Sequence, residues 1–160
     1  MHFISELRML NPYDSADGCK SRRTDLVQIF PKCVRVYELK AHAITLEDIS
    51  QTLFDKKYLE VIANAFPGKP IDFRFTSPLG ITPEAEWQLS MMGSDKYMNK
   101  QISGLEIRYK LSYQSTQDLA QTIYTDILKI TPSKLRWQID KHLNSEYEDI
   151  LPKKLLTAAV

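Results

Sequence analysis

Leu105-Glu106-Ile107-Arg108-Tyr109-Lys110-Leu111-Ser112-Tyr113 alternates strictly between apolar and polar side chains. At the two-residue period of an extended chain, Leu105, Ile107, Tyr109, Leu111 and Tyr113 share one face and Glu106, Arg108, Lys110 and Ser112 the other. Ile71-Asp72-Phe73-Arg74-Phe75-Thr76 repeats the pattern on a shorter run. Two strands with one apolar and one polar face belong to a sheet with one solvated or partner-facing side. That favours an α+β fold over a doubly wound parallel sheet, whose strands are apolar on both faces.

Residues 33–40 extend the sheet. Val34 and Val36 point one way and Cys33, Arg35, Tyr37 and Leu39 the other, so this strand is covered on both sides. Residues 25–30 form another strand, ended by Pro31. Upstream, 11–24 reads as a polar loop with turn chemistry at Asn11-Pro12 and Asp17-Gly18. Residues 2–10 fit a strand or a short helix equally well.

Between the strands lie helices. Thr45 and Asp48 make a capping box, and Leu46, Ile49, Leu53, Val61, Ile62 and Ala65 follow as a helical stripe running to Phe66. Thr82-Pro83-Glu84 opens a second helix, with Thr as cap and Pro in the first turn. Gly93 to Gly104 reads as a polar loop. Ser115 with Asp118 caps a helix near 117–129, and Thr131-Pro132 starts another over 133–149. The expected fold is α+β: a mixed, largely antiparallel sheet packed by helices, with a C-terminal helix pair over 115–150. It forms a single domain over 1–160, with a short tail at 153–160. Val36, Leu53, Ile62, Phe73, Phe75, Ile107, Leu111, Ile123 and Ile139 are its expected core.

The 160 residues carry 21 Lys+Arg against 20 Asp+Glu, and 43% are hydrophobic. This balance excludes a disordered polyelectrolyte. It also argues against tight nonspecific binding to nucleic acid, which needs several phosphate contacts. A local excess stands between Lys20 and Lys40, with six bases and two acids. No apolar run reaches the roughly 18 residues that span a bilayer. Met1 to Glu6 lacks the features of a secretory leader, so the expectation is a cytoplasmic protein with reduced Cys19 and Cys33 and no membrane contact.

Catalytic motifs are sparse. His2, His42 and His142 are scattered, no C-x-x-C is present, and no glycine-rich phosphate loop or G-x-S-x-G occurs, so neither metal nor cofactor is expected. A strand-borne Asp followed by Glu-x-Lys is the pattern of the restriction-endonuclease-like fold, where the carboxylates hold Mg²⁺ and the Lys helps position the attacking water. Asp72, Glu106 and Arg108 resemble it on the polar strand faces. They depart from it because Arg108 stands at the Lys position and an Arg is not deprotonated. The other reading is an ordinary charged strand face.

Two further segments resemble parts of bacterial helix-turn-helix domains. Thr116-Gln117-Asp118-Leu119-Ala120 is similar to the first helix, and Ile130 through Leu143 to a recognition helix and its lead-in. An amphipathic helix pair packed on the sheet is the alternative. On the last helix Leu135, Ile139, His142 and Leu143 share one face, and Lys134, Trp137, Gln138 and Lys141 another. Trp beside two Lys suits a partner contact, with the indole as anchor. Arg22, Arg23 and Tyr97, in the polar loops, are further candidates.

The expectation is a small non-catalytic binding or adaptor module. It would act on a protein partner, or on nucleic acid through a local basic patch. A metal-dependent nuclease-like enzyme using strand carboxylates and a structural subunit of a larger assembly are the alternatives.

Overall fold

The computed structural model describes residues 2–93 and 96–123. Their elements are β1 (His2–Ser5), β2 (Arg8–Leu10), β3 (Ser21–Arg23), β4 (Leu26–Ile29), β5 (Val34–Leu39), α1 (Leu46–Ser50), a π-helical turn (Gln51–Asp55), α2 (Tyr58–Ala65), β6 (Ile71–Ser77), α3 (Pro83–Met91), β7 (Met98–Ile102), β8 (Leu105–Ser115) and α4 (Thr116–Ile123). Six strands form one mixed sheet in the order β1-β4-β5-β6-β8-β7, and β2 pairs with β3. The fold is α+β. Three of the five ladders of the large sheet are antiparallel, while β5–β6 and β6–β8 run parallel.

Each connection follows from its chemistry. The two parallel pairs need crossovers, which α1 with α2 and then α3 supply. Ser103 and Gly104 both take positive φ (51° and 79°) between β7 and β8, the backbone of a tight two-residue hairpin. Thr45 caps α1 through the expected box, and Thr82 accepts from the Ala85 N–H at the start of α3.

One sheet face carries the main core. Val34, Val36, Ile71, Phe73, Phe75, Ile107, Tyr109 and Leu111 pack there against Ile49, Leu53, Leu59, Ile62, Ala85 and Leu89. On the opposite face α4 lies near the ends of β6 and β8. Its Leu119, Ala120 and Ile123 are buried, and Gln114 Nε2 donates to the Thr122 hydroxyl. Every expected core residue within the described segments is buried; Ile139 lies outside them.

The ambiguous start of the chain is extended. Glu6 N–H donates to Asp25 O (3.2 Å) and Thr24 N–H to Leu7 O (3.0 Å), so β1–β2 and β3–β4 make one continuous antiparallel ribbon. It is kinked at Glu6, whose φ is 55°.

Four local expectations are corrected. The single helix from Thr45 to Phe66 is broken by the π turn and by Lys57, held left-handed at φ 52°, where Lys56 O accepts from Arg22 and the Tyr58 hydroxyl donates to the Arg23 carbonyl. The loop at 93–104 contains β7. The loop at 11–24 ends in β3, and Asn11 and Asp17 knit the rest through side-chain hydrogen bonds to its own backbone. Finally, β6 is buried on both faces, Asp72 and Thr76 included.

Candidate functional site

In the β4–β5 ladder Leu26 stands opposite Tyr37. One step further along that antiparallel register, Asp25 comes opposite Glu38. Asp25 Oδ2 accepts the Leu39 N–H at 2.8 Å. Leu39 ends β5, so this donor is free of the sheet ladder, and the carboxylate takes its place. Glu38 falls on the same strand face as Val34 and Val36, at the end of the apolar side, and is only 8% exposed. Lys40 follows on that face, its Nζ 3.6 Å from Glu38 Oε1. From α2, Tyr58 donates its hydroxyl to the Arg23 carbonyl at 3.0 Å, which fixes the main chain just ahead of Asp25.

The electrostatics follow from this crowding. Burial, and then repulsion from Asp25, push the Glu38 carboxyl up to about 7; Lys40 and Lys56 oppose the rise. Burial also raises Asp25, with Glu6 adding repulsion, against the Leu39 N–H and the Lys40 and Lys56 charges. The Tyr58 phenol is raised by burial, then by Glu38 and Asp25. Two partly desolvated carboxylates with raised pKa values, one of them raised further by the other, beside an ammonium, are what a hard divalent cation relieves. Mg²⁺ is commonly held by one or two carboxylates with water filling its other positions, so this donor set fits it. Among the described residues no group of three or more His, Cys, Asp or Glu is close enough to hold a metal by itself.

The nuclease-like residues read from the sequence are not brought together. Asp72 stands opposite Lys110 on β8, and Glu106 is four residues away along that strand, exposed. Asp72 is bound into ion pairs instead: Arg35 Nε at 2.9 Å, Arg74 Nη2 at 3.0 Å and Lys110 Nζ at 4.0 Å. Arg74 and Arg35 hold its carboxyl below the usual range against the upward push of its burial. Glu106 and Arg108 line a cleft of about 390 Å³ between the 66–70 turn and the β7–β8 hairpin.

Of the expected partner-binding residues, Arg22 is excluded from an exposed role. Its side chain is 5% exposed, pairs with both Asp17 oxygens, and donates from Nε to Lys56 O at 2.9 Å. It faces inward because β3 is a ribbon strand rather than loop, with Arg22 opposite buried Met9. Arg23 is exposed. Tyr97 is half-buried, with Arg108 and Lys110 5.3 and 5.0 Å from its ring centroid. Lys134, Trp137, Gln138 and Lys141, and the second helix of the C-terminal pair, lie outside the described residues.

The sequence reading passed over Asp25 and Glu38-Leu39-Lys40. The signal was present: an acid and a base closing the Val34–Val36 face, with an Asp at the start of the preceding strand. The cleaner alternation of the other two strands drew the Asp/Glu-x-Lys pattern to Asp72, Glu106 and Arg108 instead.

No protein-family model and no curated protein sequence matches the chain. Two solved structures resemble it. A repair endonuclease from Pyrococcus abyssi is 15% identical with a TM-score of 0.38; the match covers 70% of this chain and 38% of that one. A protein of unknown function, AF1548, is 13% identical with a TM-score of 0.47, covering 99% and 86%. The chain therefore spans well under half the length of the endonuclease. No helix among the described residues is long and apolar enough to cross a membrane.

Proposed function

We propose that Asp25, Glu38 and Lys40 form a centre for metal-dependent hydrolysis of phosphodiesters. The observation that carries this reading is the juxtaposition of Asp25 with Glu38-Leu39-Lys40 on adjacent strands, the Asp/Glu-x-Lys arrangement of the restriction-endonuclease-like pattern. Asp25 and Glu38 are the residues that would hold the cation. When bound, a divalent ion of the Mg²⁺ class supplies charge stabilisation at the phosphoryl oxygens and an acidified water. The chain's own contribution is positional. The Leu39 N–H fixes the Asp25 carboxylate, the wall under Glu38 excludes water, and Lys40 places an ammonium where a water or a phosphoryl oxygen can accept from it.

The test is hydrolysis of bis(4-nitrophenyl) phosphate and of a labelled polynucleotide with Mg²⁺, Mn²⁺ or EDTA. The wild type is expected to turn over with metal only. Lys40→Met should lose on the order of 100-fold in rate, and Asp25→Asn should lose the metal response. Metal-independent turnover, or none at all, overturns the reading.

A binding module without catalysis is the second reading. It is favoured by the small donor set, two carboxylates with no third ligand among the described residues. Polynucleotide or protein binding with no hydrolysis under any metal would select it.

A further inference from the structure

Arg8 and Arg23 are Cα partners in the β2–β3 ribbon, and both are exposed. Like charges directly opposite one another across an antiparallel pair destabilise it. Neither arginine forms an ion pair among the described residues, and Asp17, the acid that binds the ribbon's third arginine, is held by Arg22. The ribbon does not need this pair for its packing, because the adjacent Met9 and Arg22 are the residues it buries.

Its placement supplies a reason. Arg23 lies two residues before Asp25, about 7 Å along an extended chain. The Tyr58 hydroxyl holds the Arg23 carbonyl, and the Thr24 N–H donates to Leu7 next to Arg8, so both arginines are anchored to the strand that presents the carboxylate. A polynucleotide carries a phosphate every 3.4 Å or so of strand. A chain whose reacting phosphate sits at Asp25 and Glu38 therefore brings neighbouring phosphates to the ribbon. Arginine suits them, with a planar fork that binds phosphate oxygens in pairs.

We infer that the Arg8–Arg23 pair is a phosphate-backbone contact that selects polynucleotides over small phosphodiesters, an inference that rests on the phosphodiester reading for its location. The contact is electrostatic and reads no base, so it is indifferent to sequence.

The experiment compares wild type with Arg8→Ala/Arg23→Ala and Arg8→Lys/Arg23→Lys. Binding of a labelled oligonucleotide is measured over a salt series with Ca²⁺ in place of Mg²⁺, and hydrolysis of the polynucleotide against bis(4-nitrophenyl) phosphate is measured with Mg²⁺. Thermal melting confirms that each variant is folded. The alanine pair should lower the slope of log affinity against log salt by about 1.4–1.8, two contacts' worth. It should weaken binding equally for unrelated sequences, and lower the polynucleotide-to-small-diester ratio. The lysine pair should recover most of the slope. An unchanged slope and ratio in the alanine pair overturns the inference while leaving the hydrolase reading standing. Hydrolysis absent from the wild type, with a salt slope that still depends on the arginines, removes the hydrolase reading and keeps the contact. A wild type that shows no salt-dependent binding overturns the contact outright.

Discussion

A carboxylate pushed up to about 7 carries its own thermodynamic signature. The folded value for Glu38 lies above its ordinary 4.5, so the folded state binds the proton more tightly than the unfolded chain does. Stability from that proton is complete below about pH 4.5 and is lost as pH rises to about 7. Above that the ionised carboxylate is a standing cost, roughly 3 kcal/mol from the size of the shift. Glu38→Gln should therefore raise the thermal midpoint at pH 8 and leave it nearly unchanged at pH 4. Mg²⁺ at pH 8 should stabilise the wild type by mass action and the variant much less. Scanning calorimetry at the two pH values, with and without metal, reads both effects. A variant no more stable than wild type at pH 8 would remove the electrostatic account of the site.

At the scale of elements, β6 shows how a polar strand face is made buriable. Arg35, Asp72 and Lys110 stand in one row across β5, β6 and β8, with Arg74 reaching back from the next row on β6. Alternation read β6 as half-exposed because periodicity reports side-chain polarity and not the neighbours that neutralise it. Asp72→Asn leaves two partly buried guanidinium groups without their carboxylate and should cost about 3 kcal/mol in denaturant unfolding. If Asp72 were catalytic and solvated, the same change would abolish turnover at nearly wild-type stability. The helix between Thr45 and Phe66 failed for a related reason. Its cap and its first and last turns are plain in the sequence. The π turn and the left-handed Lys57 answer to a tertiary demand, the docking of Lys56 O on Arg22 and of the Tyr58 hydroxyl on Arg23, and no local pattern encodes that.

For the molecule as a whole, the α+β class and the sheet strands 33–40, 71–76 and 105–113 were legible because alternation and capping are local. The parallel β5–β6–β8 centre and the Asp25–Glu38 meeting were not, since strand order and register are set by contacts distant in sequence. Hydrogen exchange separates these levels. Amides of β4, β5, β6 and β8, the strands paired on both sides, should exchange slowest. Within 12–23, which reads as polar loop in the sequence, the ribbon amides of β3 should be protected. Asp17→Asn, which weakens the hold on Arg22 and on the Cys19 N–H, should speed exchange there and leave β6 unchanged. Uniformly fast exchange over 12–23 in the wild type would contradict this role for Asp17.

Among the described strands the sheet ends at β1 and at β7. Among the described residues Met98-Asn99-Lys100-Gln101-Ile102 pairs only with β8, and no described strand pairs with its outer side. Such a rim is a template on which a second copy can add a strand, and concentrated stocks gel or precipitate by that route. The three middle residues are exposed and polar, and Lys100 sits at the centre, where two copies edge to edge would set ammonium against ammonium. That strand, read as loop in the sequence, is short, polar at its centre and poor in β-branched side chains, features that disfavour edge-to-edge pairing between copies.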